Sequence, residues 1–331
     1  MGAKTGIIDI HCHAAGIGAG GSGCFVSAAL RRSWRYRIYL KSFRVTEDEL
    51  LREGDGLILR RLSGQLAQSR RVASAVILAM DGVVGDDGEL NAAETEVYIP
   101  NRFVAEETGQ HPNLLFGASV NPYRRDAVTR LEQAAADGAV LMKWLPSIQH
   151  IDPSDQRLVP FYLRMKELGL PLLSHTGSEY SFTRARSELA DPELLRLPLS
   201  LGLTVIAAHA GSNGRNGGEP NHARFIRLCG EYANLYADIS ALTQLNRLGH
   251  LSRLLNHREL HGRLLYGTDM PLPNTCIVSP FAFPFRISPW RMLAISRIAN
   301  PWDRDVALKE ALGVTEEILV NGTRLLERGE R

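Results

Sequence analysis

No run of roughly eighteen apolar residues, the length a membrane-crossing helix needs, occurs in the 331-residue chain. Cysteine is scarce. The four thiols, Cys12, Cys24, Cys229 and Cys276, show no CxxC spacing, which speaks against a disulfide framework and for reduced thiols in a cytoplasmic protein. An excess of either charge is lacking too: 38 Lys and Arg stand against 36 Asp and Glu, and a net charge of +2 gives no bulk basis for nucleic-acid binding. The opening MGAKTGIIDIHCH passes straight into a strand-like run and leaves no room for a leader peptide. Neither an internal repeat nor a composition shift marks a boundary, so one domain over residues 1–331 is expected. These absences leave a cytoplasmic enzyme or binding protein.

What is present is rhythm. Short, near-continuous apolar runs recur at residues 7–10, 72–80, 114–120, 139–145, 171–174, 203–208, 234–239 and 263–266. Runs without alternation suit strands covered on both faces, as in a parallel sheet. Segments of helical patterning lie between them, at residues 56–70, 126–137, 157–168 and 221–231 among others. Eight strands alternating with helices predict an α/β fold of the (β/α)8 TIM-barrel type. Three long stretches, about 14–55, 81–100 and 271–303, interrupt the rhythm, and each follows the C-terminal end of a strand, where barrels build their sites. The first ends in Thr46-Glu47-Asp48-Glu49, a capping box that opens a helix.

The chemistry gathers at strand ends. In Asp9-Ile10-His11-Cys12-His13, His11 and His13 are two apart on a strand and so offer two imidazoles to one ion. His175 closes PLLSH, His209 closes TVIAAH and Asp269 follows LLYGT, each just past an apolar run. A lone strand-end histidine is usually a structural hydrogen-bonder; four with an aspartate, at the first, fifth, sixth and eighth strand ends, point to a metal centre. A cation held by neutral imidazoles and a carboxylate draws the pKa of bound water towards ~7. Asp269 can take that water's proton, and His209 can orient it or donate to a developing oxyanion. Asp9 has two readings, orienting a ligand from behind or facing outward low on the barrel.

The order IIDIHCH, GASVNP, LMKWLPSIQHIDP, SHTG, AAHAG, YADIS, YGTDMP and VTEEILVNGTRLL resembles the amidohydrolase superfamily, in the branch that includes aminocarboxymuconate-semialdehyde decarboxylase, over nearly the whole chain. The resemblance implies one divalent ion, Zn²⁺ first and Mn²⁺ second, on His11, His13, His175 and Asp269, with His209 beside the metal-bound water. It leaves Lys143 with two readings. In binuclear members a lysine at the fourth strand end is carboxylated and bridges two metals; in mononuclear members it stays unmodified and meets a carboxylate or an anionic substrate. The KWLP context favours the mononuclear form. A lysine that snorkels and merely neutralises a nearby acid is the plainer reading.

The function expected is hydrolysis of a lactone, ester or amide in a small substrate, itself carboxylate-bearing. Non-oxidative decarboxylation or hydration on the same site is the alternative, and a non-catalytic barrel the third reading. Homodimers are common in the resembling branch, and the apolar segment 280–302 is a candidate lid or interface. Other motifs carry less. Gly16, Gly18 and Gly21 satisfy G-x-G-x-x-G, but the sequence that follows is Arg-rich and irregular rather than a helix, so no nicotinamide site is expected. The basic, aromatic segment 31–44 could bind single-stranded nucleic acid, a carboxylate or a partner subunit, and a solvated amphipathic segment is the ordinary reading. Arg215 sits in a Gly-rich loop and reaches substrate or closes a turn. Asn321-Gly322-Thr323 matches a glycosylation sequon inside a helical pattern and is set aside.

Overall fold

The computed structural model describes residues 6–329. Each of the eight apolar runs forms a strand: β1 (Ile7–His13), β2 (Val72–Leu78), β3 (Leu114–Ala118), β4 (Leu141–Trp144), β5 (Leu172–His175), β6 (Val205–Ala208), β7 (Leu235–Asp238) and β8 (Leu264–Leu265). Every strand pairs in parallel with the next in chain order. The ring closes between its ends: Ile10 N donates to Tyr266 O at 3.2 Å, Asp269 N to His11 O at 2.9 Å and His13 N to Met270 O at 2.9 Å. The barrel, expected from alternation alone, is therefore joined by hydrogen bonds. Helices fill the connections, among them Gly56–Ala67, Ala127–Ala136, Val159–Glu167 and Asn221–Glu231.

Two apolar layers result. Ile10, Val76, Leu78, Leu141, Leu173, Ile206, Ala208 and Leu265 fill the inside of the ring. Their neighbours Ile7, Cys12, Ala75, Ile77, Met142, Leu172, Val205 and Leu264 pack outward against the helices. β1 and β2 fall out of step twice, between Ile7 and Ile8 and again between Asp9 and Cys12. Asp9 pairs with Ala75 but Cys12 with Ile77, so three steps on β1 match two on β2, a β-bulge at Ile10–His11. Ile10 and His11 then both face inward, and His13 follows two residues later.

The three interruptions are all at the strands' C-terminal side. The first contains helices Ala28–Arg31, Trp34–Ser42 and Glu47–Glu53, the last opened by the capping box at Thr46. It is tied to the second by a two-residue antiparallel ribbon, Phe25–Val26 with Val97–Tyr98. The third carries helix Pro289–Ser296 and a small core of Phe283, Ile287, Met292, Ile295 and Leu308, while Phe285 and Trp290 stand in solvent.

Several side expectations resolve here. The glycine run wraps a carboxylate instead of a phosphate: Ile17 N and Gly18 N both donate to Asp55 Oδ2 at 2.9 Å. The Arg-rich segment, expected to be irregular, is largely helical, because its rings have somewhere to go: Tyr36 and Phe43 are buried. Part of its charge is neutralised, Arg31 by Glu47, which supports the ordinary reading over a nucleic-acid one. Arg215 donates to Gly218 O and closes its own turn. Asn321 is buried and its amide donates to His261 O and Leu264 O, so it holds a helix to β8. No helix among the described residues is long and apolar enough to cross a membrane.

Candidate metal centre

Strand parity explains which side chains meet. One step above the Leu141, Leu173 and Leu265 layer, the next inward positions are Lys143, His175 and the start of the turn carrying Asp269. His209 and Asp269 lie just beyond their strands with left-handed backbone, φ 62° in each, which turns both side chains back towards the axis. Gly267 allows the approach of β8 to β1, because a Cβ there would stand 3.0 Å from the His11 Cβ and 3.2 Å from the Ser240 Cβ. The β5 and β6 ends are pinned together by Thr176, whose hydroxyl donates to Ala208 O at 2.7 Å and accepts from Gly211 N.

The residues singled out in the sequence do converge. The His11 and His13 ring centroids are 5.0 Å apart, His11 and His209 5.1 Å, and His175 and His209 5.0 Å. Asp269 Oδ1 lies 3.0 Å from His13 Nε2 and 3.5 Å from His11 Nε2. Lys143 Nζ lies 3.1 Å from His11 Nε2. Four members went unnoticed as site residues. Asp238, which ends β7, takes His11 Nδ1 at 2.7 Å on one oxygen and His209 N at 2.9 Å on the other. Ser240 donates its hydroxyl to Asp238, and its carbonyl lies 3.1 Å from His209 Nδ1. Glu179 Oε2 lies 3.6 Å from His175 Nε2, and the buried Arg247 donates to Ser212 Oγ at 3.0 Å in the turn that follows His209. Asp238 gave only the weak signal of an acid at a strand end, two residues past Tyr236; Glu179 and Arg247 lie in loops that strand periodicity does not reach.

Asp9 turns out to face outward and to orient the site at once. Fully buried, it accepts His11 N, Thr268 N, Thr268 Oγ1 and Trp302 Nε1, so it fastens the backbone of the histidine pair to the turn before Asp269. Burial pushes its pKa up to about 6 against those hydrogen bonds.

Electrostatics prepare neutral imidazoles beside charged carboxylates. Burial pushes His11 down, with Lys143 adding to the shift; it pushes His175 down to about 4 and His209 well below the ordinary histidine value, Arg247 contributing to both. Neutral imidazole is the form with a lone pair for a cation. Burial works the other way on Asp238 and Asp269, but it is outweighed at Asp238 by His11, His209 and the Ser240 hydroxyl and at Asp269 by the His13 hydrogen bond with His11 and His209, imidazoles that turn positive in acid, so both stay well below the carboxylate range. Burial lowers Lys143 to about 8.

The donor set fits a divalent ion. The ligand atoms of His11, His13 and Asp269 lie within 4.8 Å of one another. His175 Nε2, buried, has no hydrogen-bond partner. With Asp238 engaging His11 Nδ1, the Nε2 lone pair faces the centre, where Lys143 Nζ also reaches it at 3.1 Å.

A closed ring of parallel strands with imidazoles and carboxylates at its C-terminal mouth defines a TIM barrel organised around a polar centre. Residues 8–286 match the family model described as Amidohydrolase, and the chain belongs to that family. The match places it among amidohydrolases, and a His-His-Asp grouping of the kind that can hold a metal ion stands at the barrel mouth. Solved structures similar to it include an uncharacterized TIM-barrel protein from Bordetella bronchiseptica (17% identity, 98% of this chain and 99% of that one covered, TM-score 0.59). A putative 2-pyrone-4,6-dicarboxylic acid hydrolase from Pseudomonas putida follows (18%, 98% and 98%, TM-score 0.55). So does a 5-carboxyvanillate decarboxylase from Sphingomonas paucimobilis (11%, 98% and 99%, TM-score 0.51). At such identities the likeness is one of fold. No protein of curated function matches the chain by sequence.

Proposed function

We propose that the protein is a mononuclear metal-dependent hydrolase of a small, carboxylate-bearing lactone, ester or amide. The observation that carries this reading is the grouping of His11, His13 and Asp269, whose ligand atoms lie within 4.8 Å of one another, beside the buried His175 Nε2, which has no hydrogen-bond partner. These four residues would hold the ion, Zn²⁺ before Mn²⁺ by donor type. Bound there, it supplies Lewis acidity, polarising a carbonyl and acidifying water.

The remaining work falls to side chains. Asp269, kept charged, accepts the proton of the attacking water and returns it to the leaving oxygen or nitrogen. His209 Nδ1–H is taken up by Ser240 O, which leaves Nε2 as an acceptor; this supports orienting the attacking water over donating to an oxyanion. Asp238 fixes the His11 tautomer and also binds the His209 backbone. Lys143, unmodified in this reading, sets a positive charge beside His11 for an anionic substrate. A carboxylated Lys143 bridging two ions is the competing form. The cytoplasmic location belongs to the same reading and is supported by four cysteines none of which is bonded to another.

Non-oxidative decarboxylation is the second reading, favoured by the burial of a cationic lysine at the centre, where a substrate carboxylate would reach it. Two measurements decide. Elemental analysis of purified protein is expected to give about one metal equivalent, about two meaning the bridged-lysine form. A screen of lactones, esters and amides beside aromatic carboxylates, with CO₂ detection, is expected to show hydrolysis. CO₂ release without hydrolysis transfers the assignment to the lyase, and neither metal nor turnover leaves a non-catalytic barrel.

A further inference from the structure

Four cationic side chains are buried among the described residues: Arg124, Lys143, Arg247 and Lys309. Two are neutralised within the fold. Arg124 is paired with Asp81, Nε donating at 2.8 Å, and Lys309 with Asp305 at 2.6 Å. Lys143 lies against His11 at the centre. Arg247 has no such partner. Its Nη1 donates to the neutral Ser212 Oγ at 3.0 Å, its Nε is buried and unpartnered, and among the described residues no carboxylate comes within ion-pair distance of it.

Its surroundings are those of the metal centre. Arg247 lies in the field of Asp269, Glu179 and Asp238, and its own charge acts on His175 and His209. Glu179 is not a spare counter-ion: one oxygen accepts Ser181 N at 2.6 Å and the other faces His175. The segment is also fixed in place. Arg247 ends a short 3-10 turn, Leu245–Arg247, whose first residue donates its N–H to Ile277 O at 3.0 Å, bracing the loop after β7 against the third interruption. A buried, unpaired guanidinium is strongly unfavourable unless an anion arrives to complete it. A guanidinium offering Nε from a fixed position suits a planar carboxylate.

We infer that Arg247 is the carboxylate anchor of the site, binding a carboxylate of the substrate that takes no part in the bond being broken. The inference rests on the reading of the site as one for small carboxylate-bearing substrates, and it adds which residue selects them. Lys143 stands at the reacting end; Arg247 sets the far end, and so decides between a dicarboxylate and its singly charged analogue.

The test is direct binding, with metal content read on the same samples. Wild-type protein, Arg247→Met and Arg247→Lys are titrated by calorimetry with glutarate, isophthalate and the matching monoamides. A charge-assisted pair predicts that wild type binds at least one diacid about 10- to 100-fold tighter than its monoamide. In Arg247→Met that ratio falls to about 1 while monoamide binding and metal content hold; in Arg247→Lys it is intermediate. The melting temperature separates anchor from brace. Removing an unpaired buried charge leaves it unchanged or raised, whereas a structural arginine would lower it. A Met variant that still prefers the diacid overturns the inference, as does one that melts lower and binds both compounds poorly. If wild type carries no metal, the functional reading fails, and the diacid-to-monoamide ratio still decides on Arg247.

Discussion

His11 takes its orientation from a carboxylate 227 residues further along the chain, and that dependence is open to measurement. Asp238→Asn keeps the shape but offers an amide, so the His11 ring loses its charged acceptor and the preference for Nδ1–H. Metal affinity should fall about 10- to 100-fold, read by competition with a chelator, with the fold retained by circular dichroism. Unchanged affinity would mean that Asp238 serves only the His209 backbone. Asp269→Asn is a harsher change, since the same oxygen lies beside His11 and His13 and serves as proton acceptor in the proposed reaction. Turnover should drop by about 10²- to 10⁴-fold at saturating metal. Near-normal turnover would remove Asp269 from the proton path. Both aspartates sit at strand ends, yet only Asp269 stood out, because Asp238 reads as the last residue of an ordinary strand until His11 is seen against it.

The first strand carries the most consequential irregularity. By simple alternation from the inward Ile10, Cys12 would face the axis and both histidines the helices; the bulge at Ile10–His11 reverses this. The i, i+2 spacing therefore puts both histidines on one face, while which face that is depended on a slip in pairing that no residue type announces. β8 meets β1 at equally close quarters. Gly267→Ala brings a methyl to 3.0 Å of the His11 Cβ, so the pair must give by a few tenths of an ångström. The expected result is weaker metal binding with little loss of stability in the metal-free protein. If chelator competition shows no change, the strand ends are more compliant than their packing implies. Asp9 explains why the two ends move as one body, since the same carboxylate takes backbone N–H groups from His11 and Thr268.

Over the entire molecule, the buried histidines link stability to pH. An unfolded chain protonates His11, His175 and His209 near their ordinary value of 6.5, whereas the fold keeps them neutral to lower pH, about 4 for His175. Between 6.5 and about 4 the unfolded state thus binds more protons, and the metal-free protein should lose stability as pH falls through that window. Denaturant melts of chelated protein test this, with His175→Asn as the control that flattens part of the slope; equal slopes would mean that the folded protein already carries the proton. Zinc, binding the folded state alone, should raise the melting temperature in proportion to the logarithm of its concentration. Protonation competes for the same lone pairs, so that gain should shrink in acid.

Strand count, order and direction were readable along the chain, since periodicity is local. The six residues proposed for the centre could be named as candidates because a barrel brings every strand's C-terminal end to one rim. What needed three dimensions was whatever depends on two distant segments meeting: the closure of β8 on β1, the bulge that turns His11 inward, the hold of Asp238 on His11 and of Asp9 on Thr268, and the isolation of Arg247. A side chain's type fixes which bonds it can make. Whether a partner stands within reach is a property of the folded neighbourhood, and for Arg247 it is the missing partner that carries the meaning.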